Sequence, residues 1–305
     1  MSSITSSCTG KFLIYKDIGA NIISCESLYL LLFRRFPFQP IEFINSHYLI
    51  HGNWEKATLL VLPGGNEDAC TIWERNLGAS GMKKIQDYVK VHGGKILGIC
   101  AGAYFVSKES YYDRADIGLK SRLFPLYNGT ASGPIKPISL LSTMPSSPLP
   151  AVGQVVKLFN PTSGAGGGCY YRGGPAFMGA AGSPEATTLA TYDREFYECG
   201  EGTAIAHFLD EEGKGDGEGV VSGVHFEIEP KKKILPRSTP SPLSNDLIDS
   251  LGRLAEDLSA AEDFRKRLEH DIFDALGLMS EAGENGIEDW YEEQPDGTVT
   301  YRGDS

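Results

Sequence analysis

Short apolar runs alternate with helix-length segments through the first hundred residues. The run KFLIY (11–15) predicts a strand, ESLYLLLFRRF (26–36) is dense enough in apolar residues for a packed helix, and IEFIN (41–45) predicts a second strand. ATLLVLPGG (57–65) predicts a buried strand that stops at Pro63-Gly64-Gly65. GMKKIQDYVKVHGG (81–94) carries Met82, Ile85 and Val89 at helical spacing and closes on Gly93-Gly94. KILGI (95–99) is the next strand. Strands that alternate with helices pair in parallel through right-handed crossovers, with both sheet faces covered. The expected fold is α/β, a doubly wound, mostly parallel sheet.

The pattern changes further along. Between 113 and 202 the strand-like pieces GQVVKLFN (153–160) and TTLATYD (187–193) lie among stretches rich in Gly, Pro and Ser. GAGGGCYYRGGP (164–175) lacks the Lys-Ser/Thr that a phosphate loop carries after its glycines, and reads as a turn between strands. GVVSGVHFE (219–227) returns to a buried strand with polar residues at its end. EPKKKILPRSTPSPLS (229–244), with four prolines, reads as a linker. Over 244–278, Ser244 is a candidate cap, and Leu247, Leu251, Leu254 and Leu258 share one helical face. That stripe is too narrow for an independent core, so the helices must pack on the α/β domain, pair with another chain or stay marginal, and the acidic face with the preceding proline linker favours a mobile appendage. The expected division is an α/β domain over 1–228, a proline-rich linker over 229–243, and a helical appendage with an acidic tail over 244–305.

Composition narrows the function. A chain of 305 residues, 41% hydrophobic, can bury a full core. Its net charge of −12 is uneven, because 18 of the 40 acids but only 9 of the 28 bases lie from Glu229 onward. The one compact basic run, Lys231 to Lys233, is too short to make a field for phosphate, so nucleic acid is not an expected partner. Cys8, Cys25, Cys70, Cys100, Cys169 and Cys199 are scattered without CxxC or Cys/His ligand spacing. They indicate neither a zinc site nor a disulfide framework and fit reduced thiols. No metal or organic cofactor is expected. The N-terminus shows no charged-then-apolar signal pattern, and no apolar run approaches the ~18 residues of a membrane span. A cytoplasmic protein with no membrane partner is expected.

Ligands of open α/β sheets meet the carboxyl ends of the strands, which directs attention to Gly64-Gly65, Cys100, and His225 with Glu227. Gly98 and Gly102 flank Cys100 in the G-x-nucleophile-x-G spacing of a strained strand-to-helix elbow, where glycine relieves the close passage of two chain segments. The helix that follows would aim its N-terminus at the sulfur and favour the thiolate. His225 is the candidate acid and base. Glu227, two residues on and on the same side of a strand, is placed to orient its ring. The backbone N–H groups of Gly65 and Ala101 are the candidate oxyanion donors. A free cysteine is commonly just a small core hydrophobe, and the flanking glycines with the downstream H-x-E are what set Cys100 apart. His207, after an apolar run, reads as a structural histidine, and Tyr104 as core packing. Asn128-Gly129-Thr130 and Arg302-Gly303-Asp304 read as chance matches to a glycosylation acceptor and an integrin tripeptide.

LLVLPGG, GGKILGICAGAYF and SGVHFE, in this order and at these separations, resemble the class I glutamine amidotransferase superfamily, and within it the N-terminal domain of biotin–protein ligases. IYKDIGA, NGTASGPI and YYRGGPAF extend the likeness over about 11–228. The resemblance implies a flavodoxin-like fold and a Cys-His-Glu triad on Cys100, His225 and Glu227. Working glutaminases carry a glutamine shortly after the elbow's second glycine, whereas here Gly102 is followed by Ala103-Tyr104-Phe105, which speaks against glutamine as substrate. The glycine/arginine-rich adenylate motif of the ligase catalytic domain is absent, so biotin ligation by this chain alone is not expected. The reading is a thiol hydrolase or amidase on a small amide or acyl substrate. Its alternative is a catalytically silent module that binds a ligand or a protein partner, such as a biotin ligase. A protease-like branch of the same fold shares the elbow but usually lacks the late H-x-E, and His225 with Glu227 disfavours it.

Overall fold

The structure, a computed structural model, describes residues 10–113, 118–135, 153–180, 186–194, 202–209, 217–229, 245–279, 291–293 and 299–301. The first part runs β1 (Phe12–Tyr15), α1 (Ile22–Arg35), β2 (Ile41–Ile44), α2 (Ser46–His51), β3 (Leu59–Leu62), α3 (Ala69–Lys90), β4 (Lys95–Ile99) and α4 (Ala101–Val106). Strands β5 (Ser107–Tyr112), β6 (Gly118–Ser121), β7 (Tyr127–Gly133), β8 (Gln154–Phe159), β9 (Gly166–Tyr171), β10 (Ala176–Met178), β11 (Ala186–Tyr192), β12 (Thr203–Leu209) and β13 (Glu218–Ser222) follow. Helices α5 (Asn245–Ala260) and α6 (Glu262–Ala275) and a separate pair, β14 (Tyr291–Glu293) with β15 (Val299–Tyr301), complete the described chain.

Strands β2, β1, β3, β4 and β13 lie side by side in that order, all parallel. With β13 in fifth place this is the doubly wound order of flavodoxin-like sheets. Alternation along each strand feeds two cores. Phe12, Ile14, Leu59, Val61, Leu97 and Ile99 pack on one face with Leu28, Leu31 and Leu32 of α1, while Leu13, Tyr15, Leu60, Leu62 and Ile96 pack on the other with Trp73, Leu77, Ile85 and Tyr88 of α3. Beyond β13 the sheet continues in antiparallel pairs through β12, β10 and β7, then β5 pairs with β7 in parallel and β6 with β5 antiparallel, and β11 leads off β12 to the β8–β9 hairpin.

Three expectations need correction. Helix α3 begins at Ala69 rather than near Gly81: the chain bends at Gly78 (φ 59°), and buried Ala69, Trp73, Leu77, Gly81, Ile85 and Val89 carry one face across the bend. The glycine-rich stretch 164–175 is not a turn throughout: Gly166–Tyr171 is strand β9, paired residue by residue with β8. Its glycines leave room for α6, since a Cβ on Gly167 would collide with Phe264.

The third correction concerns the C-terminal segment, which forms two helices and is not a loose appendage. Phe264, Leu268, Ile272, Phe273 and Leu276 are buried in the same core as α1, and Phe273 meets Phe36 edge to face at 5.1–5.2 Å from ring to ring along the Phe12–Phe36–Phe273 series. Arg35 pairs with Glu269 at 3.4 Å, and Asn160 donates to Asp271 at 2.8 Å. On α5 Leu254 and Leu258 are buried, and the apolar positions of α6 extend the seal over the sheet. The linker expected over 229–243 lies, from 230 on, outside the described residues, as does Arg302-Gly303-Asp304. Asn128-Gly129-Thr130 sits within β7. No described helix is long and apolar enough to cross a membrane.

Candidate active site

The ends of β3, β4 and β13 meet at one edge of the parallel sheet. Cys100 directly follows β4 and precedes α4, with φ 50° and ψ −104°; among the described residues it is the one non-glycine with positive φ. Such a backbone costs on the order of 1–3 kcal/mol and persists only where its surroundings hold it. Here the Cys100 N–H donates to Ser222 O at 2.7 Å and the Gly102 N–H to Pro63 O at 3.1 Å. A Cβ on Gly102 would strike the Leu62 carbonyl oxygen, and one on Gly98 would lie 2.9 Å from Gly102 O. Both glycines are therefore required by the passage of the elbow across β3 and itself. The Cys100 sulfur is buried, 3.7 Å from the Arg172 carbonyl oxygen.

His225 and Glu227 lie beyond β13, in a turn and not on a strand. The Ile228 N–H reaches back to His225 O at 3.4 Å, and His225 makes one isolated bridge, its N–H donating to Tyr170 O at 2.8 Å. The turn brings the His225 Nδ1 within 2.8 Å of Glu227 Oε1. Ser24, in the first turn of α1, donates its hydroxyl to that same oxygen at 2.8 Å and accepts the Gly64 N–H at 3.0 Å. A Cβ on Gly64 would collide with the His225 ring, so this glycine, two residues past β3, makes the space in which the imidazole lies. Burial opposes charge on His225. The Glu227 carboxylate, together with hydrogen bonds to Cys100 and Glu227, outweighs it and holds the imidazole pKa well above its usual value.

Gly65 pairs with Ala20 in a short bridge. The flanking bonds, Asn21 N–H to Gly64 O at 2.8 Å and Asn66 N–H to Gly19 O at 3.0 Å, turn the Gly65 N–H away from residue 20. Ala101 opens α4, and its N–H is one of those a helix leaves without an intrahelical acceptor. Gly65, Ala101, Cys100 and His225 all line one cavity of about 400 Å³. Glu227 does not line the cavity and stands behind His225.

Other lining residues carried no local signal. Tyr170 and Arg172 come from the end of β9, with the Tyr170 ring edge-on to His225 at 5.7 Å. Ser110, Tyr112, Lys120 and Arg122 come from β5, β6 and the residue after it. Tyr104 is buried and lines the cavity as well, its hydroxyl donating to Gly173 O at 3.2 Å. His207 is outside it, 3.2 Å from Glu218, as a structural histidine would be. Burial pushes the Cys25 and Cys169 thiols up to about 12 and Cys70 up to about 11. Among the described residues no group of three or more His, Cys, Asp or Glu side chains could hold a metal ion.

Comparison with known proteins places the chain. The family model described as "Biotin-protein ligase, N terminal" matches residues 11–294. A Chlamydia muridarum protein described as uncharacterized is 32% identical over 180 residues, covering 55% of this chain and 66% of its own length. The biotin–protein ligase of Schizosaccharomyces pombe is 28% identical over 222 residues, covering 71% of this chain but 33% of the ligase. The chain therefore spans about a third of the ligase that it matches. A glutamine amidotransferase structure from Thermotoga maritima superposes with a TM-score of 0.48 at 14% identity, over 88% of this chain and 96% of that one. The extent of the family match, from the first strand past the last helix, is decisive: the chain belongs to the biotin–protein ligase N-terminal family.

Proposed function

We propose that this domain is a cysteine-dependent hydrolase of small amide or acyl substrates. The observation that supports the reading is the pair of hydrogen bonds from Ser24 to Glu227 and from Glu227 to His225, with His225 and Cys100 lining the same cavity, one large enough for a small molecule. An imidazole beside a sulfur, with its far nitrogen held by a carboxylate, is the acid/base arrangement that nucleophilic attack by cysteine needs.

The Cys100 sulfur attacks the carbonyl carbon, forming a C–S bond as the carbonyl electron pair moves to oxygen. The N–H groups of Gly65 and Ala101 receive that oxyanion. His225 gives its proton to the leaving nitrogen or oxygen, and the bond to it breaks to leave a thioester on Cys100. Water then enters. His225 takes one proton from it as it attacks, the C–S bond breaks, and the acid leaves with the thiolate restored. Glu227, held to Nδ1, fixes the ring so that Nε2 is turned toward the sulfur and the substrate.

The test is incubation with p-nitrophenyl acetate and a panel of small primary amides, followed by intact-mass and peptide analysis. The expected result is a transient acyl adduct on Cys100, with turnover that disappears in Cys100→Ser. Ligand binding without adduct or turnover would instead make this a binding module.

A further inference from the structure

The turn that carries His225 and Glu227 is held from behind the cavity wall by helix α6. Ahead of the turn, the His225 N–H donates to Tyr170 O at 2.8 Å, and Tyr170 belongs to β9. Helix α6 lies against that strand: a Cβ on Gly167 would strike Phe264, and one on Gly168 would come 3.3 Å from the Cβ of Ala261, the residue that caps α6. Behind the turn, Arg265 of α6 donates from Nη1 to the Ile228 carbonyl at 3.1 Å. Ile228 lines the cavity. Arg265 does not, and it is 3% exposed. One helix thus supports both ends of residues 225–228.

A guanidinium is an expensive group to bury, and well-packed apolar residues in place of buried charge are often neutral or stabilising. Its neighbours on α6, Phe264, Leu268 and Ile272, are apolar and buried. Charge balance gives Arg265 a partial reason to be there. Burial pushes the Glu269 carboxyl up from its ordinary value, and the charges of Arg35 and Arg265 hold it back, but Arg35 already pairs with Glu269 at 3.4 Å. The Arg265 Nε is buried without a partner, so the fork is not placed to satisfy its own donors. Its hydrogen bond to Ile228 is the contact that reaches the site. The other hold on this exit, the pair of Arg34 with Glu229, is 35% and 39% exposed, where an ion pair contributes little.

We propose that Arg265 is a positioning residue: through the Ile228 carbonyl it sets where the His225 imidazole lies relative to Cys100, and so couples the C-terminal helix to the site. The inference rests on the hydrolase reading for what the imidazole does, but the placement of the ring is a separate claim with its own readout.

That readout is NMR of the histidine side chains in the full chain, with His225→Gln used to assign the His225 signals, beside Cys100 alkylation by iodoacetamide. Arg265→Met keeps an apolar stem and removes every donor. It should shift the His225 imidazole resonances while those of His47 and His51 stay, slow Cys100 alkylation about tenfold, and move the pH profile of that rate toward higher pH. Arg265→Lys returns a donor and should recover most of the rate. Leu268→Ala, which removes packing from the same helix, should lower the urea midpoint at least as far as Arg265→Met, yet leave the His225 resonances and the Cys100 rate at their wild-type values. Unmoved His225 resonances in Arg265→Met, or equal shifts and slowing in Leu268→Ala, overturn the proposal. Should Arg265→Met lose its cooperative unfolding transition, Arg265→Lys decides: one ammonium in place of the planar fork should still shift the His225 resonances, and unmoved resonances there overturn it. Shifted His225 resonances in a protein whose Cys100 reacts no faster than its other thiols keep the positioning role and remove the hydrolase reading.

Discussion

His225 Nδ1 lies 2.8 Å from Glu227 Oε1, with the Glu227 side chain wholly buried and the His225 side chain 7% exposed. The Glu227 carboxylate is the largest influence that keeps the imidazole protonated against burial. Glu227→Gln should therefore drop the His225 pKa below its usual value of about 6.5, because burial then dominates. The direction in stability follows. A group whose pKa is raised on folding stabilises the fold fully below about pH 6.5 and loses that contribution as pH rises through the folded pKa. Wild type should lose stability relative to Glu227→Gln as pH rises above about 6.5. Imidazole titration by NMR, with urea unfolding at several pH values, checks both signs.

Ser24 ties α1 to the site by holding Glu227 and Gly64 at once. Ser24→Ala leaves a buried carboxylate oxygen with one partner fewer and should cost about 1.5–3 kcal/mol in urea unfolding. Cys100 alkylation should slow as well, since the Glu227–His225 geometry loosens. A stability loss without any change in alkylation would confine Ser24 to a structural role.

Gly64 is required by the position of the His225 ring, not by the backbone. Gly64→Ala should displace the imidazole and slow Cys100 alkylation about tenfold or more, as a misplaced acid/base group does, with far UV circular dichroism unchanged. Retained alkylation would mean that the ring moves without consequence.

How far the sequence discloses this site depends on how local each interaction is. Cys100 is legible because the elbow writes its steric demand into neighbouring positions: Gly98 and Gly102 are the residues that cross β3 and the elbow itself. The parallel strands are legible for a similar reason, since burial on both faces turns FLIY, LLVL and KILGI into short apolar runs. His225 and Glu227 are legible as a pair, but through a turn that a two-residue spacing on a strand merely imitates. Tyr170, Arg172, Lys120 and Arg122 are not legible, because sheet pairing at long sequence separation brings them to the cavity. Helix α6 misleads for the opposite reason. Its charged residues dominate the pattern, and the burial of Phe264, Ile272 and Phe273 depends on a partner face, β9 and α1, that lies far away in sequence.

The C-terminal helix should matter to both fold and site. Phe273→Ala is expected to cost about 3–5 kcal/mol, as large-to-small changes at buried aromatic positions do. Arg265, 3% exposed, donates to the Ile228 carbonyl at 3.1 Å, next to Glu227. A chain ending at Glu229 should lose cooperative unfolding, measured by differential scanning calorimetry. A truncated chain with the wild-type midpoint would return α6 to the status of an appendage.

The central claim, that His225 activates Cys100 as a nucleophile, is tested most directly by site-resolved alkylation with iodoacetamide at pH 6.5, comparing wild type with His225→Gln. Burial holds Cys25, Cys70 and Cys169 as thiols, so they are expected to react slowly. In wild type Cys100 should be labelled first, and His225→Gln should slow it about tenfold or more, consistent with loss of an ion-pair partner. Equal Cys100 rates in the two proteins, or labelling of Cys100 no faster than of the buried thiols, would contradict the account.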